Sequence, residues 1–254
     1  MWDRLLGGLR QWLRMVGRAS PGARVIERDG VTAAVVPAAA ERAVLNSLMY
    51  DEAAGLAAAY DEVADAYEEI GAVWTVWVPS TDEGARAALH RAGHVLDAAP
   101  AVMAVDLKEI ERPPAGALED WTADGDVRQV GPLNDRSYTF GTDSFTRAYA
   151  GLSPDGLTTY VARVDGRAAG CLLIIDHDGN ADVEMVAVVP EARGHGIAGK
   201  LLAHALADAA ERGLETSTLL STRLGRPVYE RLGYREFGTL HMWERKLRAD
   251  PPPT

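Results

Sequence analysis

A chain of 254 residues can bury one large core or two smaller ones, and 47% apolar with 25% charged residues is the balance of a globular protein. A net charge of −11 makes it a poor binder of polyanions, which argues against nucleic acid as the main ligand and permits a cationic amine. Cys171 is the sole cysteine, so an internal disulfide and a cysteine metal site are excluded, as fits a reducing cytoplasm. No apolar run approaches the ~20 residues that cross a bilayer.

In chain order, the first predicted element is a helix within 1–20. Trp2, Leu5, Leu6, Leu9, Trp12, Leu13 and Val16 share one face, with Arg4, Arg10, Arg14 and Arg18 among the other positions. Such a basic amphipathic helix can pack on its own protein, on a second copy in a homo-oligomer, or on a membrane surface. It lacks the continuous apolar centre of a cleaved secretory signal. In 21–110, Leu56, Tyr60, Val63, Tyr67 and Ile70 mark a second amphipathic helix. A strand over 73–78, a helix over 83–92 and a strand over 101–107 follow. Segment 111–126, rich in Pro, Gly and acid, reads as a linker.

In 127–248 a helix is expected near 144–150. Strands over 158–164 and 168–175 are joined across Asp165-Gly166, a hairpin signal. Asp178-Gly179-Asn180 turns into a strand over 182–189, and Pro190 stops it. A glycine-rich turn then opens a helix whose apolar face is Ala198, Leu201, Leu202, Ala205, Leu206 and Ala209, with Gly213 as its stop. A strand over 216–222, a short helix over 224–232, a closing strand over 234–246 and a tail, 249–254, complete a mixed α/β order.

The turn carries the chemistry. Gly194 and Gly196 let the backbone approach a ligand, and the helix behind them offers unpaired N–H groups and the positive end of its dipole. A pyrophosphate fits such a cradle. The P-loop pattern is not present, since Lys200 is not followed by Ser or Thr. Arg193-Gly194-His195-Gly196-Ile197-Ala198, after a V-x-V-x-P strand, resembles the acyl-CoA signature [RQ]-x-x-G-x-[GA] of the GNAT N-acetyltransferase superfamily. The resemblance implies acetyl-CoA as co-substrate, no metal, and direct transfer to a primary amine of a small molecule or a peptide. It also implies that Val186, Ala187 and Val188 pair their backbone with the pantetheine arm, on a strand that bulges and splays from its neighbour. The alternative is a CoA-binding sensor or scaffold without turnover.

Transfer to an amine needs an acid for the departing thiolate and a base for the amine. Tyr229, in R-P-V-Y-E-R-L-G-Y, resembles the GNAT tyrosine that faces the CoA sulfur; a phenol is protonated at neutral pH. Glu184 is the candidate base, alone among Val183, Met185, Val186 and Ala187, with Asp182 as a rival on the same strand face. His195 belongs to the turn and is given no catalytic role, and His177 and His241 are isolated. Cys171 reads as a buried structural thiol. Arg223 and Arg226 either reach the CoA phosphates or stay solvated. Tyr138, Phe140, Phe145 and Tyr149 fall where GNAT folds place the wall of the acceptor pocket.

The first half repeats the plan. Leu89-His90-Arg91-Ala92-Gly93-His94 aligns with Tyr229-Glu230-Arg231-Leu232-Gly233-Tyr234 at an offset of 140 residues (Gly93 against Gly233), and Leu107 and Leu247 keep it. Where the second copy has its glycine turn, the first has Asp51-Glu52-Ala53-Ala54-Gly55-Leu56, whose carboxylates repel a pyrophosphate. Leu89 replaces Tyr229. Two GNAT-like domains with a degenerate, CoA-free first half (21–110) and one active site in 127–248 are therefore expected.

Overall fold

A computed structural model describes residues 1–246, apart from 115, 119, 124, 139 and 140. The expected tail and the Leu247 end of the repeat lie outside the described residues, as does Phe140. The first half runs α1 (Trp2–Val16), β1 (Arg24–Arg28), β2 (Val31–Val35), β3 (Ser47–Tyr50), α2 (Ala53–Glu69), β4 (Trp74–Pro79), α3 (Glu83–Arg91), β5 (Val95–Ala98) and β6 (Ala101–Asp106). The second runs β7 (Trp121–Thr122), α4 (Val130–Tyr138), α5 (Ser144–Ala148), β8 (Leu157–Val164), β9 (Arg167–His177), β10 (Asn180–Val188), α6 (Ile197–Glu211), β11 (Thr216–Ser221), α7 (Arg226–Arg231) and β12 (Arg235–Arg245).

Local chemistry accounts for the boundaries. Asp165 and Gly166 both take positive φ between β8 and β9, the conformation a two-residue hairpin with right-handed twist needs. Asp178 and Gly179 do the same between β9 and β10. The Asp82 side chain accepts from the Ala85 amide at 2.9 Å and so starts α3. α6 buries Leu201, Leu202, Ala205, Leu206 and Ala209 and ends before Gly213.

Among the described residues the strands form one sheet in the order β1-β2-β3-β4-β12-β6-β11-β10-β9-β8-β7, with β5 on β12. The centre of that order crosses the chain. β12 pairs with β4 from Leu240↔Pro79 to Arg245↔Trp74, and with β6 from Arg235↔Ala104 to Thr239↔Ala101. β6 in turn pairs with β11 from Thr216↔Asp106 to Ser221↔Ala101. Each half thus lends its last strand to the other.

α1 lies over the sheet with Leu5, Leu9, Trp12, Leu13 and Val16 buried. Two glycines let it sit close: a Cβ on Gly8 would stand 2.5 Å from the Asp182 carboxylate, and one on Gly7 2.1 Å from the His177 ring. Arg4–Glu215, Arg10–Asp51 and Arg14–Glu27 ion pairs fix the polar side of the helix. No helix among the described residues is long and apolar enough to cross a membrane. The segment expected as a linker does more than connect. Within it β7 adds an edge strand to β8, Trp121 stacks on His204 of α6 at 4.3 Å, and Arg112 pairs with Asp208 and Glu211.

Candidate active site

The glycine turn is built as a bare helix N-terminus. Gly196 is the N-cap of α6 in the left-handed region (φ 74°), and no side chain caps the helix. Gly194 also has positive φ (84°), and a Cβ there would meet no protein atom within 4 Å. Both glycines, with Arg193, Ile197 and Ala198, line a cleft of about 740 Å3 between α6 and α7. Its volume, free amides and dipole suit the pyrophosphate end of a CoA. Arg193 itself is spent on the protein. Its Nε donates to the Val188 carbonyl at 3.1 Å and its terminal nitrogen to the Ser137 carbonyl at 2.5 Å, so it braces the turn against β10 and α4. His195 is exposed, with Nδ1 3.4 Å from the Ala192 carbonyl. Lys200 and Arg231, which no motif marks, line the same cleft and are its further cations.

Behind the turn, β10 parts from β11. Their parallel pairing runs from Asn180↔Thr216 to Val183↔Leu219, although both strands continue beyond it. At the same point the pairing of β10 with β9 slips between Glu184 and Ala187, and Met185 takes φ 55°. A left-handed methionine costs on the order of 1 kcal/mol, and the bulge it makes re-aims the neighbouring side chains. Val186, Ala187 and Val188 therefore border a slot between the strands.

That slot opens into a second cleft, of about 710 Å3, lined by Glu184, Val186, Ala187, Val188, Arg193, Ala198 and Tyr229. The two clefts share Val188, Arg193, Ala198, Leu224 and Val228, so they form one continuous groove. The proposed base, acid and turn are thereby brought together. Burial raises the Glu184 carboxyl well above the ordinary range, and the nearby Asp182 charge adds to this. Asp182 is fully buried beneath Gly8; Oδ1 accepts from Thr218 Oγ1 at 3.1 Å, while Oδ2 has no hydrogen-bond partner. Burial raises its carboxyl too. Asp182 lines neither cleft, so of the two Glu184 is the carboxylate on the groove.

Tyr229 is buried with its ring against Gly225 and edge-on to Tyr234 at 5.9 Å. Burial, then the proximity of Tyr138 and Glu184, push its phenol further up, so it holds its proton at every physiological pH. Tyr138 lines the same cleft. Phe145 and Tyr149 are core residues below it, and the Tyr149 hydroxyl donates to Met185 Sδ at 3.0 Å, supporting the bulge. Cys171 is buried, its thiol pushed up to about 12 by desolvation, the state of an inert structural thiol. Arg226 is held by Glu230 and Glu236, so it is not free for a phosphate; Arg223 is exposed. Among the described residues no group of three or more His, Cys, Asp or Glu could hold a metal ion. The cleft also has walls no motif marked: Leu9, Trp12 and Leu13 of α1, and Val44, Met49 and Trp77 of the first half. The apolar stripe of α1 was visible in the sequence, but its destination was not.

A mixed sheet whose bulged, splayed strand feeds a bare glycine turn defines an α/β fold of the GNAT type. Residues 155–236 match the family model described as "Acetyltransferase (GNAT) domain". A GCN5-related N-acetyltransferase from Kribbella flavida is similar over 94% of this chain and 95% of its own, at 17% identity and a TM-score of 0.64. One from Sphaerobacter thermophilus is similar over 87% and 78%, at 20% identity and a TM-score of 0.57. A tandem GNAT protein from the clavulanic acid biosynthesis pathway is similar over 98% and 97%, at 16% identity and a TM-score of 0.51. No curated protein matches the chain.

Proposed function

We propose that the chain is an N-acetyltransferase that moves the acetyl group of acetyl-CoA directly to a primary amine, with one active site in a tandem fold. The observation that carries the reading is the placement of Glu184 and Tyr229 on one cleft, at the slot where β10 leaves β11. The co-substrate supplies an acetyl thioester. The amides at the start of α6 hold its pyrophosphate, and the free edge of β10 at 186–188 orients its arm. Glu184 takes the proton that the amine loses as the C–N bond forms. Tyr229 gives its proton to the sulfur as the C–S bond breaks, and the two residues then exchange protons with solvent. Cys171 is too deeply buried to carry an acyl group, which favours direct transfer.

The tandem reading is supported by the element ranges, since α2 and β4 fall near α6 and β11 once shifted by the offset of 140 residues (Gly93 against Gly233). In the first half Asp51 pairs with Arg10, and a Cβ on Gly55 would lie 3.0 Å from the Asp29 carbonyl. That turn is filled by the protein's own atoms. Leu89, at the place of Tyr229, is a core residue.

A panel of primary amines with acetyl-CoA, read as thiol released and acetylamine formed, tests the reading. Tyr229→Phe is expected to lower kcat by roughly a hundredfold, the scale of general-acid catalysis, with the CoA dissociation constant unchanged. Equal turnover in both proteins removes Tyr229 as the acid. CoA binding without acetylation of any amine makes the protein a sensor.

A further inference from the structure

We infer that the acceptor is a primary monoamine carried on an uncharged, apolar body. The inference rests on the acetyl-transfer reading of the same cleft and adds the class of its substrate. Its first support is the wall opposite β10. Leu9, Trp12 and Leu13 of α1 face the groove together with Val44, Met49 and Trp77 of the first half, and all six are apolar. All but Val44 are buried and show little surface of their own to water, so the gain lies with the acceptor, whose apolar body leaves water for a site bordered by hydrocarbon and aromatic rings.

The second support is a count of charges. Among the described residues the charged side chains lining this cleft are Glu184 and Arg193. Arg193 is engaged by the Val188 and Ser137 carbonyls and is not free to meet a carboxylate. Glu184 can meet one ammonium. A second cation, as in a polyamine or an aminoglycoside, would face tryptophan and leucine, where an unpaired charge is costly. An amino acid would bring a carboxylate to a wall with no unengaged cation. One amine on an apolar body meets the Glu184 carboxylate and brings no further charge that the cleft would leave unpaired.

The third support is rigidity. α1 is held by the Arg4–Glu215, Arg10–Asp51 and Arg14–Glu27 pairs and by the close seats of Gly7 and Gly8, so the apolar wall is preformed.

Trp12 and Trp77 make the test independent of turnover. Amines are titrated into the full-length protein saturated with CoA, followed by tryptophan fluorescence and calorimetry. The probes are 2-phenylethylamine, hexylamine, phenylalanine and spermidine. The two apolar monoamines are expected to bind at least tenfold tighter than phenylalanine, which differs from phenylethylamine by its carboxylate, and than spermidine. Val44→Asp, at a partly buried position, adds a second carboxylate to the wall and should narrow the spermidine gap by about tenfold, with the melting temperature as folding control. Phenylalanine or spermidine binding as tightly as phenylethylamine to the wild type overturns the inference. Binding in the expected order without acetyl transfer upholds the apolar monoamine as the ligand class of the cleft and overturns the transferase reading.

Discussion

Asp182 and Glu184 stand two residues apart on β10, and the first conditions the second. Desolvation raises both carboxyls, and the Asp182 charge raises Glu184 further. The proposed base must be ionised to work, so turnover should rise with pH through a midpoint above the ordinary carboxylate range. Asp182→Asn removes the charge and leaves the desolvation, so the acid limb of kcat/KM should move to lower pH. An unmoved limb would show that the pair is not coupled. Stability gives an independent sign. The Asp182 carboxyl is pushed up to about 8, above its unfolded value, so the folded state holds this proton more tightly. Its ionisation costs stability as pH climbs from the ordinary carboxylate range through about 8. The gain in Tm of Asp182→Asn over wild type should therefore be larger at pH 8.5 than at pH 5. Glu184 was legible as a lone carboxylate on an apolar strand. The partner role of Asp182 was not, because it depends on burial beneath a helix from the other end of the chain.

Elements announced themselves where one face is wet or where a turn signal bounds them. α6 showed a helical period and a glycine at each end, and β8 and β9 were marked by Asp165-Gly166 between them, although β9 is buried from Ala169 to Ile175. β2 did not, because Val31–Val35 is buried on every residue and has no alternation to read. Asp29-Gly30 carries the same hairpin signal as Asp165-Gly166 and marks the missed turn between β1 and β2. α4 was obscured by Gly131 and Pro132, poor helix formers that propensity weighs against. α1 was legible as a helix, and its interior glycines become intelligible only in place. Helical glycine costs up to ~1 kcal/mol against alanine, yet here the missing Cβ makes room for the Asp182 carboxylate. Gly8→Ala should lift the helix from β10, at about 1–3 kcal/mol by the usual scale of overpacking, and lower Tm by several degrees. Amine affinity should fall with it, since Leu9, Trp12 and Leu13 move, while CoA affinity holds. A Gly8→Ala protein with unchanged Tm would mean that the helix is not seated on Asp182.

At the scale of the whole molecule the two halves are tied by exchange of their last strands. β12 completes the sheet of the first half on β4, and β6 lies between β12 and β11. No periodicity encodes such pairing, since each strand looks the same whichever neighbour it takes. The exchange places the wall from the first half on one cleft with β10, and α1 spans both. A specific protease site placed after Pro114 tests it. Cleavage would leave fragments 1–114 and 115–254 joined by the full ladders of β4–β12 and β6–β11 and by the seat of α1 on β9 and β10. They should co-elute at the intact size and unfold in one transition. Fragment 115–254 made alone would lack β6 as a partner for β11 and both long partners of β12, and its circular dichroism should lack native strand content. Fragments that part without denaturant, or a C-terminal fragment that folds and binds CoA by itself, would show two self-sufficient domains in place of an exchanged pair.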